Sequence, residues 1–288
     1  MKLLNRKKPN IASLNKIKTK KSTIVSDYQE LYNFLNLFKN DENSVLMSII
    51  LPMYNEENTI RSILEMLPKN KLIEIIIIDD NSTDNSLKEI KKVKHYNEFK
   101  IIRHLENRGY GNAIITGMRY ATGDVIVSMD TDGQHNPDDI YILIKPIFEG
   151  KADYTIGSRY LGSYHYHLPV ATRLGEVFVE KFFQVFFGIK IMNNQNGFRA
   201  FTKELIPVFN NAKFLGYAFC TEQILQATLS EHKVLECPIK VYDREYGYSK
   251  IKLHILTLNI LASLLLYYLI KFKLNVSRKR KSIKDFLW

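Results

Sequence analysis

An α/β protein with a mainly parallel central sheet and helices on both faces is the fold class this sequence predicts. Three observations carry it. Short aliphatic runs alternate with amphipathic segments from Ser44 to Gly157, the rhythm of strand-helix-strand units. Leu72–Ile78 is aliphatic except for Glu74, close to the pattern of a strand covered on both faces. Polar, acid-rich turns follow several of the aliphatic runs, at the carboxyl edge where open α/β sheets bind ligands.

The elements follow in order. Residues 1–25 read as a flexible basic arm, and Asp27–Phe38 has helical spacing of apolar positions. Strands are predicted at Ser44–Met53, Leu72–Ile78, Lys100–His104, Asp124–Met129 and Ala152–Gly157. Helices are predicted between them at Glu56–Leu67, Ser86–His95, Gly111–Ala121 and Pro137–Phe148. After Tyr160 the pattern changes. Pro169–Phe187 reads as a long helix rich in Phe and Val. The segment Gly197–Phe201 precedes helices at Glu204–Phe209 and Thr221–Ser230, and Val234–Tyr242 is a final strand. Ile255–Ile270 is strongly apolar.

Charge is unevenly spread. The net charge is +11 over 288 residues, yet the first 21 residues hold eight Lys or Arg and no acid, and residues 271–284 hold seven more and no acid. The body between them is close to neutral. Basic ends on a neutral body point to an anionic surface, membrane or nucleic acid, or to solvated tails. Only Cys220 and Cys237 occur, so no disulfide framework is indicated and a reducing compartment is the default. The N-terminus lacks a continuous apolar stretch and does not read as a secretory signal.

The richest motif is Asp130-Thr131-Asp132-Gly133-Gln134-His135, directly after Val125–Met129. Two carboxylates one residue apart at a strand end form an oxygen cage suited to a hard divalent cation that also holds phosphates. Leu51–Glu57 ends the first strand: Pro52 and Tyr54 could shape a nucleobase pocket and Glu56 could bond a ribose, while Asn55 also reads as a helix N-cap. Asp79 and Asp80 close the second strand, where base or ribose contacts compete with turn chemistry. Gly109 and Gly111 open a helix whose N-terminus favours anions, although a tight turn explains them equally.

Together these segments resemble the family 2 glycosyltransferases of the GT-A fold, in particular the polyprenol-phosphate (dolichol-phosphate) mannose and glucose synthases. The matching stretches are LPMYNEE (51–57), IDDNSTD (78–84), RGYGNAIITGMRYATGD (108–124), MDTDGQH (129–135), GSRY (157–160), NGFRAF (196–201) and CPIKVYDREYGYSK (237–250). The resemblance implies a GT-A domain over 44–250, preceded by the basic arm and short helix of 1–43. A membrane-associated helix and basic tail over 251–288 complete the chain. It implies that Pro52, Tyr54, Glu56, Asp79, Asp80, Gly109 and Gly111 hold the nucleotide sugar, a GDP- or UDP-hexose. Asp130, Asp132 and Gln134 would hold Mg²⁺ or Mn²⁺. Arg159, Arg173, Arg244, Ser249 and Lys250 would bind donor and acceptor phosphates, since Arg grips phosphate oxygens in pairs. Three positions depart from or qualify the pattern. Asn193 stands where this branch usually carries an Asp, Val177 stands where it carries a Ser, and Glu222 sits at a position where relatives carry an acid.

The implied reaction is inverting transfer to a polyprenyl (dolichyl) phosphate. A phosphate monoester is already ionised at pH 7 and needs no general base. A hydroxyl acceptor would need a positioned carboxylate, which makes Glu222 the expected discriminator. The alternatives are a family 2 enzyme acting on a sugar hydroxyl and a non-catalytic nucleotide-sugar binding protein; intact Asp130, Asp132 and Arg244 argue against the latter. No nucleic-acid partner is expected. The 16 residues Ile255–Ile270 would span ~24 Å as helix, short of a ~30 Å hydrocarbon core. Lys252, Asn259, Ser263, Tyr267 and Lys271 draw a loose polar stripe along it. The basic cluster Arg278–Lys281 follows the segment, and the positive-inside tendency would hold it in the cytosol. An in-plane or shallowly inserted helix on the cytoplasmic face of the cell membrane is therefore expected, with tail cations on anionic lipid.

Overall fold

The computed structural model describes residues 28–38, 45–95, 97–165, 170–244, 246 and 252–286, and the side chains of these except 165, 171 and 277–286. The basic arm, Ser249, Lys250 and the tail cations Arg278–Lys281 therefore lie outside the described residues or side chains.

Among the described residues seven strands form one sheet, in the order β3 (Phe99–Arg103), β2 (Ile73–Asp79), β1 (Met47–Met53), β4 (Val125–Ser128), β6 (Arg199–Thr202), β5 (Tyr154–His165), β7 (Val234–Tyr242). β1 (Met47–Met53) pairs in parallel with β2 (Ile73–Asp79) and β4 (Val125–Ser128), and β2 pairs in parallel with β3 (Phe99–Arg103). β5 (Tyr154–His165) and β7 (Val234–Tyr242) are also parallel to each other. β6 (Arg199–Thr202) runs antiparallel between β4 and β5. The mainly parallel sheet is borne out, with one reversed strand built from the segment that follows Gly197.

Alternation along the strands divides the core. Ile49, Leu51, Ile75 and Ile77 face α1 (Tyr28–Leu35), α2 (Ile60–Met66) and α5 (Ile140–Phe148). Ile50, Ile76 and Ile78 face α4 (Tyr110–Tyr120), α8 (Phe219–Leu229) and parts of α6 (Val170–Phe182) and α9 (Leu253–Phe286). All seven of these side chains, six isoleucines and one leucine, are fully buried, each stabilising the fold by roughly 1.5–3 kcal/mol. This two-sided burial is why β2 reads as a continuous aliphatic run.

Several boundaries differ from expectation. The helix after β1 begins at Ile60, because Asn55 adopts φ 55° and does not cap it. The Asn55 carboxamide oxygen instead accepts from the Thr83 amide at 2.7 Å, tying the β1 and β2 loops together. α3 (Ser86–Ile90) is only one short helix. α6 continues into a π-helical turn over Phe183–Phe187, ending at Gly188 in the left-handed region. α7 (Ile206–Phe209) is a single turn. The largest correction is α9: the apolar segment lies inside a 34-residue helix. Its apolar portion, Leu253–Val276, has 24 residues and reaches ~36 Å. The length argument against spanning therefore fails, and the placement of this helix must rest on its packing.

Candidate active site

The carboxyl ends of β1, β2 and β4 open into a cavity of about 1300 Å³. Asp130 and Asp132 stand on its floor. Thr131, between them, is anchored: its hydroxyl donates to Pro52 O at 3.0 Å, and its carbonyl accepts from the Thr59 hydroxyl at 2.7 Å. Asp132 accepts from the Gln134 amide at 3.1 Å and ion-pairs with Arg244. The Asp130 side chain is 31% exposed and opens to the cavity. The surrounding protein and the neighbouring Asp132 carboxylate push its pKa up, against Arg199 and Arg244. Gly197 presses against it, so that an added Cβ would collide with both Asp130 oxygens.

Among the described residues, no three His, Cys, Asp or Glu side chains gather as a metal cluster. The donors present nonetheless suit a hard cation shared with a phosphate ligand: two carboxylates one residue apart, with a side-chain amide oxygen at Gln134. The Gln134 side-chain N–H₂ donates to Tyr242 O at 3.2 Å, so only its carbonyl oxygen can serve a cation. His135 is buried against Phe198, with ring centroids 5.2 Å apart, and burial lowers its pKa to about 4.

Pro52, Tyr54, Glu56, Asp80 and Gly109 line the same cavity. Asp80 holds the glycine loop: its carboxylate accepts from the Arg108 and Gly109 amides, both at 2.8 Å. Gly109 sits at φ 87°, a conformation that favours glycine. Arg159 lines the cavity and pairs with Glu176, which also receives the Tyr160 hydroxyl. Burial raises the Glu176 pKa against the pull of Arg159.

Four expected residues lie elsewhere. Asp79 is fully buried, accepting from Ser82 N at 2.9 Å and pairing with Arg103 at 3.1 Å. Gly111 is a packing glycine; a Cβ there would strike Leu215 O at 2.6 Å. Arg173 is not part of the cavity wall; it stacks on Tyr160, 4.0 Å from the ring centroid, and reaches Glu180 at 3.8 Å. Glu222 is fully buried beneath α9 and away from the cavity. Its carboxylate accepts from Lys213 N (2.8 Å), Phe214 N (2.7 Å) and the Tyr267 hydroxyl (2.7 Å). It is a packing carboxylate, and it cannot discriminate acceptors from there.

The sequence reading missed other contributors. Arg199 is fully buried and binds the backbone oxygens of Asn194 (2.6 Å), Asn196 (2.6 Å) and Cys220 (2.7 Å). It thereby fixes the loop that carries Gly197. The signal was the NGFRAF stretch itself, since a lone Arg between aromatic residues in a strand must find buried acceptors. Tyr110 and Tyr217 stack at 5.7 Å on the cavity wall; their 107-residue separation hides the pair from a linear reading. Asn193, in place of the expected Asp, accepts from Arg159 N at 3.2 Å and donates its own amide to Glu236 at 2.7 Å.

Part of the cavity wall is apolar. Leu253, Leu256, Ile260 and Leu261 of α9 and Phe178 and Val179 of α6 face the cavity.

Comparison with known proteins agrees with this arrangement. Residues 48–209 match the profile of the family described as Glycosyl transferase family 2. The UDP-N-acetylglucosamine–dolichyl-phosphate N-acetylglucosaminyltransferase of Methanococcus voltae is 30% identical over 223 residues, 71% of this chain and 89% of that protein. The dolichol-phosphate mannosyltransferase of Pyrococcus furiosus is 31% identical over 219 residues, 72% of this chain and 59% of that protein. Among solved structures, glucosyl-3-phosphoglycerate synthase from Mycobacterium tuberculosis with Mn²⁺, uridine diphosphate and phosphoglyceric acid superposes with a TM-score of 0.62. That match has 18% identity and covers 81% of this chain and 82% of that one, a likeness of fold. With the matched profile spanning more than half of its length, this chain belongs to glycosyl transferase family 2, built on the GT-A fold.

Proposed function

We propose that this protein transfers a hexose, with inversion, from a GDP- or UDP-linked donor to a polyprenyl phosphate at a membrane surface. One observation carries the reading. The acidic pair Asp130/Asp132 and the cations Arg159 and Arg244 share a single cavity with an apolar wall from α6 and α9. A ligand set that fits both walls carries phosphates at one end and hydrocarbon at the other. The relatives from M. voltae and P. furiosus are named for dolichyl-phosphate acceptors, which supports the same acceptor class here.

Asp130, Asp132 and the Gln134 carbonyl would hold Mg²⁺ or Mn²⁺, which when bound offsets charge on the departing nucleoside diphosphate. Tyr54, Pro52 and Glu56 shape the nucleoside side of the cavity, and Asp80 acts on it through the Gly109 loop. Arg159 and Arg244 meet phosphate oxygens in the fork geometry that guanidinium provides. Ser249 and Lys250 are proposed to join them. The acceptor phosphate attacks already ionised, so the chain needs no general base. The hydroxyl-acceptor alternative loses its candidate base, because Glu222 is spent on backbone amides.

The helix α9 is proposed to lie in the membrane plane on the cytoplasmic face. Ser263, Leu264 and Tyr267 bind it to the body, whereas Leu258, Leu265 and Leu269 on its other edge are more than half exposed. Leu174 and Phe178 of α6 extend that apolar surface.

The test is a panel of labelled nucleotide sugars with mixed polyprenyl phosphates. Label in an organic-extractable, EDTA-sensitive product is expected, and its loss in Asp130→Ala. Donor hydrolysis without lipid product, or transfer only to free sugars, would overturn the acceptor assignment.

A further inference from the structure

Each oxygen of the Asp132 carboxylate already has a partner. One oxygen accepts the Gln134 amide at 3.1 Å and the other is capped by the Arg244 guanidinium. Asp130 is the open member of the pair. A cation can therefore approach Asp130 directly, whereas at the outer oxygen of Asp132 it would share the oxygen with the Arg244 guanidinium, positive charge beside positive charge. Arg244 lies just past the end of β7, on the cavity wall. The same pattern recurs at Arg159, whose counter-ion is Glu176. Each cavity arginine is thus neutralised by a carboxylate of the protein.

We infer that Arg244 is a resident counter-ion for Asp132, and that metal loading exchanges it from Asp132 to a phosphate oxygen. The inference rests on the proposed function, whose phosphates it concerns. Charge drives the exchange. A divalent cation entering at Asp130/Asp132 repels Arg244 and satisfies Asp132 better than one guanidinium does. The released guanidinium is then an uncompensated positive charge on a cavity wall, which is costly until an anion meets it. The phosphate comes from the lipid monoester or from the donor diphosphate. Metal and phosphate must therefore bind with positive coupling, and linkage makes that coupling reciprocal. A bare electrostatic attraction between metal and phosphate would not pass through Arg244.

The experiment uses the full chain in detergent and reads binding, not turnover. Mn²⁺ affinity is measured without nucleotide in wild type, Arg244→Gln, Arg244→Lys and Arg159→Gln. Geranyl phosphate and UDP affinities are then measured with and without Mn²⁺. Thermal melts check that each variant folds, and Arg244→Lys retains the charge should the Gln variant fail. Arg244→Gln is expected to bind Mn²⁺ about tenfold tighter, within the usual range of coupling. Arg244→Lys should fall between it and wild type, and Arg159→Gln should change less than twofold. Loss of Mn²⁺ enhancement in Arg244→Gln for geranyl phosphate alone assigns Arg244 to the monoester; a reduced enhancement for UDP alone assigns it to the diphosphate. If Mn²⁺ affinity is unchanged by Arg244→Gln, or rises equally in Arg159→Gln, the exchange is overturned while the proposed function stands. If wild type binds no Mn²⁺ either alone or with UDP, the exchange falls, while the transfer reading is decided by its own lipid-product assay.

Discussion

Asp80 grips Gly109. One carboxylate oxygen takes the Gly109 amide and the other the Arg108 amide, both at 2.8 Å. His104 steadies the acid from behind, its Nδ1 2.7 Å from Asp80 and its Nε2 2.9 Å from the Thr116 hydroxyl. A carboxylate only accepts, so the His104 Nδ1–H donates to Asp80. Asp80→Asn turns one acceptor towards an amide as a donor. Each lost charged hydrogen bond costs about 1.5–3 kcal/mol. Nucleotide affinity should fall at least tenfold, with a lower melting temperature. His104→Phe should lower affinity less. Unchanged nucleotide binding in Asp80→Asn would show that the loop keeps its shape without the clasp.

Gly197 offers a sharper probe of the acidic pair than removal of a carboxylate. A Cβ at 197 collides with both Asp130 oxygens, and Ser128 holds Gly197 O at 2.9 Å, so the backbone cannot retreat. Gly197→Ala should push Asp130 off position. Transfer should drop at least a hundredfold, and the variant should need more Mn²⁺ or Mg²⁺ for half-maximal rate. Asp130→Ala and Asp132→Ala should remove transfer entirely while melting near wild type. Wild-type kinetics in Gly197→Ala would mean that Asp130 has room the structure denies it.

Glu222 should behave as a fold residue. Two backbone amides and the Tyr267 hydroxyl converge on it in a fully buried place. Glu222→Gln presents a donor to those donors, and a cost of several kcal/mol follows from about 1–3 kcal/mol for each buried group left unsatisfied. Poor folding and a strongly lowered melting temperature are expected, with Tyr267→Phe milder. A well-folded Glu222→Gln with transfer lost by orders of magnitude would return Glu222 to the chemistry.

Glu176 sets a pH signature. Burial raises its folded pKa above the ordinary glutamate value of about 4.3, despite Arg159. As pH rises above that value, the unfolded chain releases the proton first, and the folded state is penalised. Stability should therefore fall between about pH 4.3 and the folded pKa, and the drop should be absent in Glu176→Gln. Melting temperatures of the two proteins from pH 4 to 7 should diverge, with the variant gaining relative to wild type as pH rises. A difference independent of pH would show that Arg159 compensates the charge in full.

The strand-helix rhythm was legible because burial on two faces leaves an aliphatic run that few other structures need. The acid pair was legible because it follows such a run immediately. What escaped is three-dimensional. The sequence cannot say that Asp80 turns inward to amides 28 and 29 residues away, or that Glu222 is covered by a helix 45 residues on. Both acids look alike as letters, and only the partners that reach them separate a cavity wall from a packed interior. α9 was misjudged in length because its C-terminal part is polar, whereas the helical backbone continues through that part to Phe286.

Its length makes α9 the last and most open test. At 24 residues the apolar portion is long enough to cross a bilayer, yet Leu264 and Tyr267 are packed into the body and Lys271 donates to Phe186 O at 2.6 Å. Pulling the helix away to span would expose that edge and break that bond. Leu258 and Leu265, 65% and 59% exposed, lie on the opposite edge. Leu258→Glu with Leu265→Glu should leave the fold intact. Each removes about 1.5–3 kcal/mol of burial in lipid, so binding to anionic liposomes should weaken by a hundredfold or more. Leu264→Glu should instead destabilise the protein in solution. If the double variant still co-sediments with liposomes as wild type does, the exposed edge is not the contact. If carbonate leaves the wild type in membranes and a C-terminal tag lies across the bilayer from the catalytic domain, the helix spans and its packing on the body must open to let it.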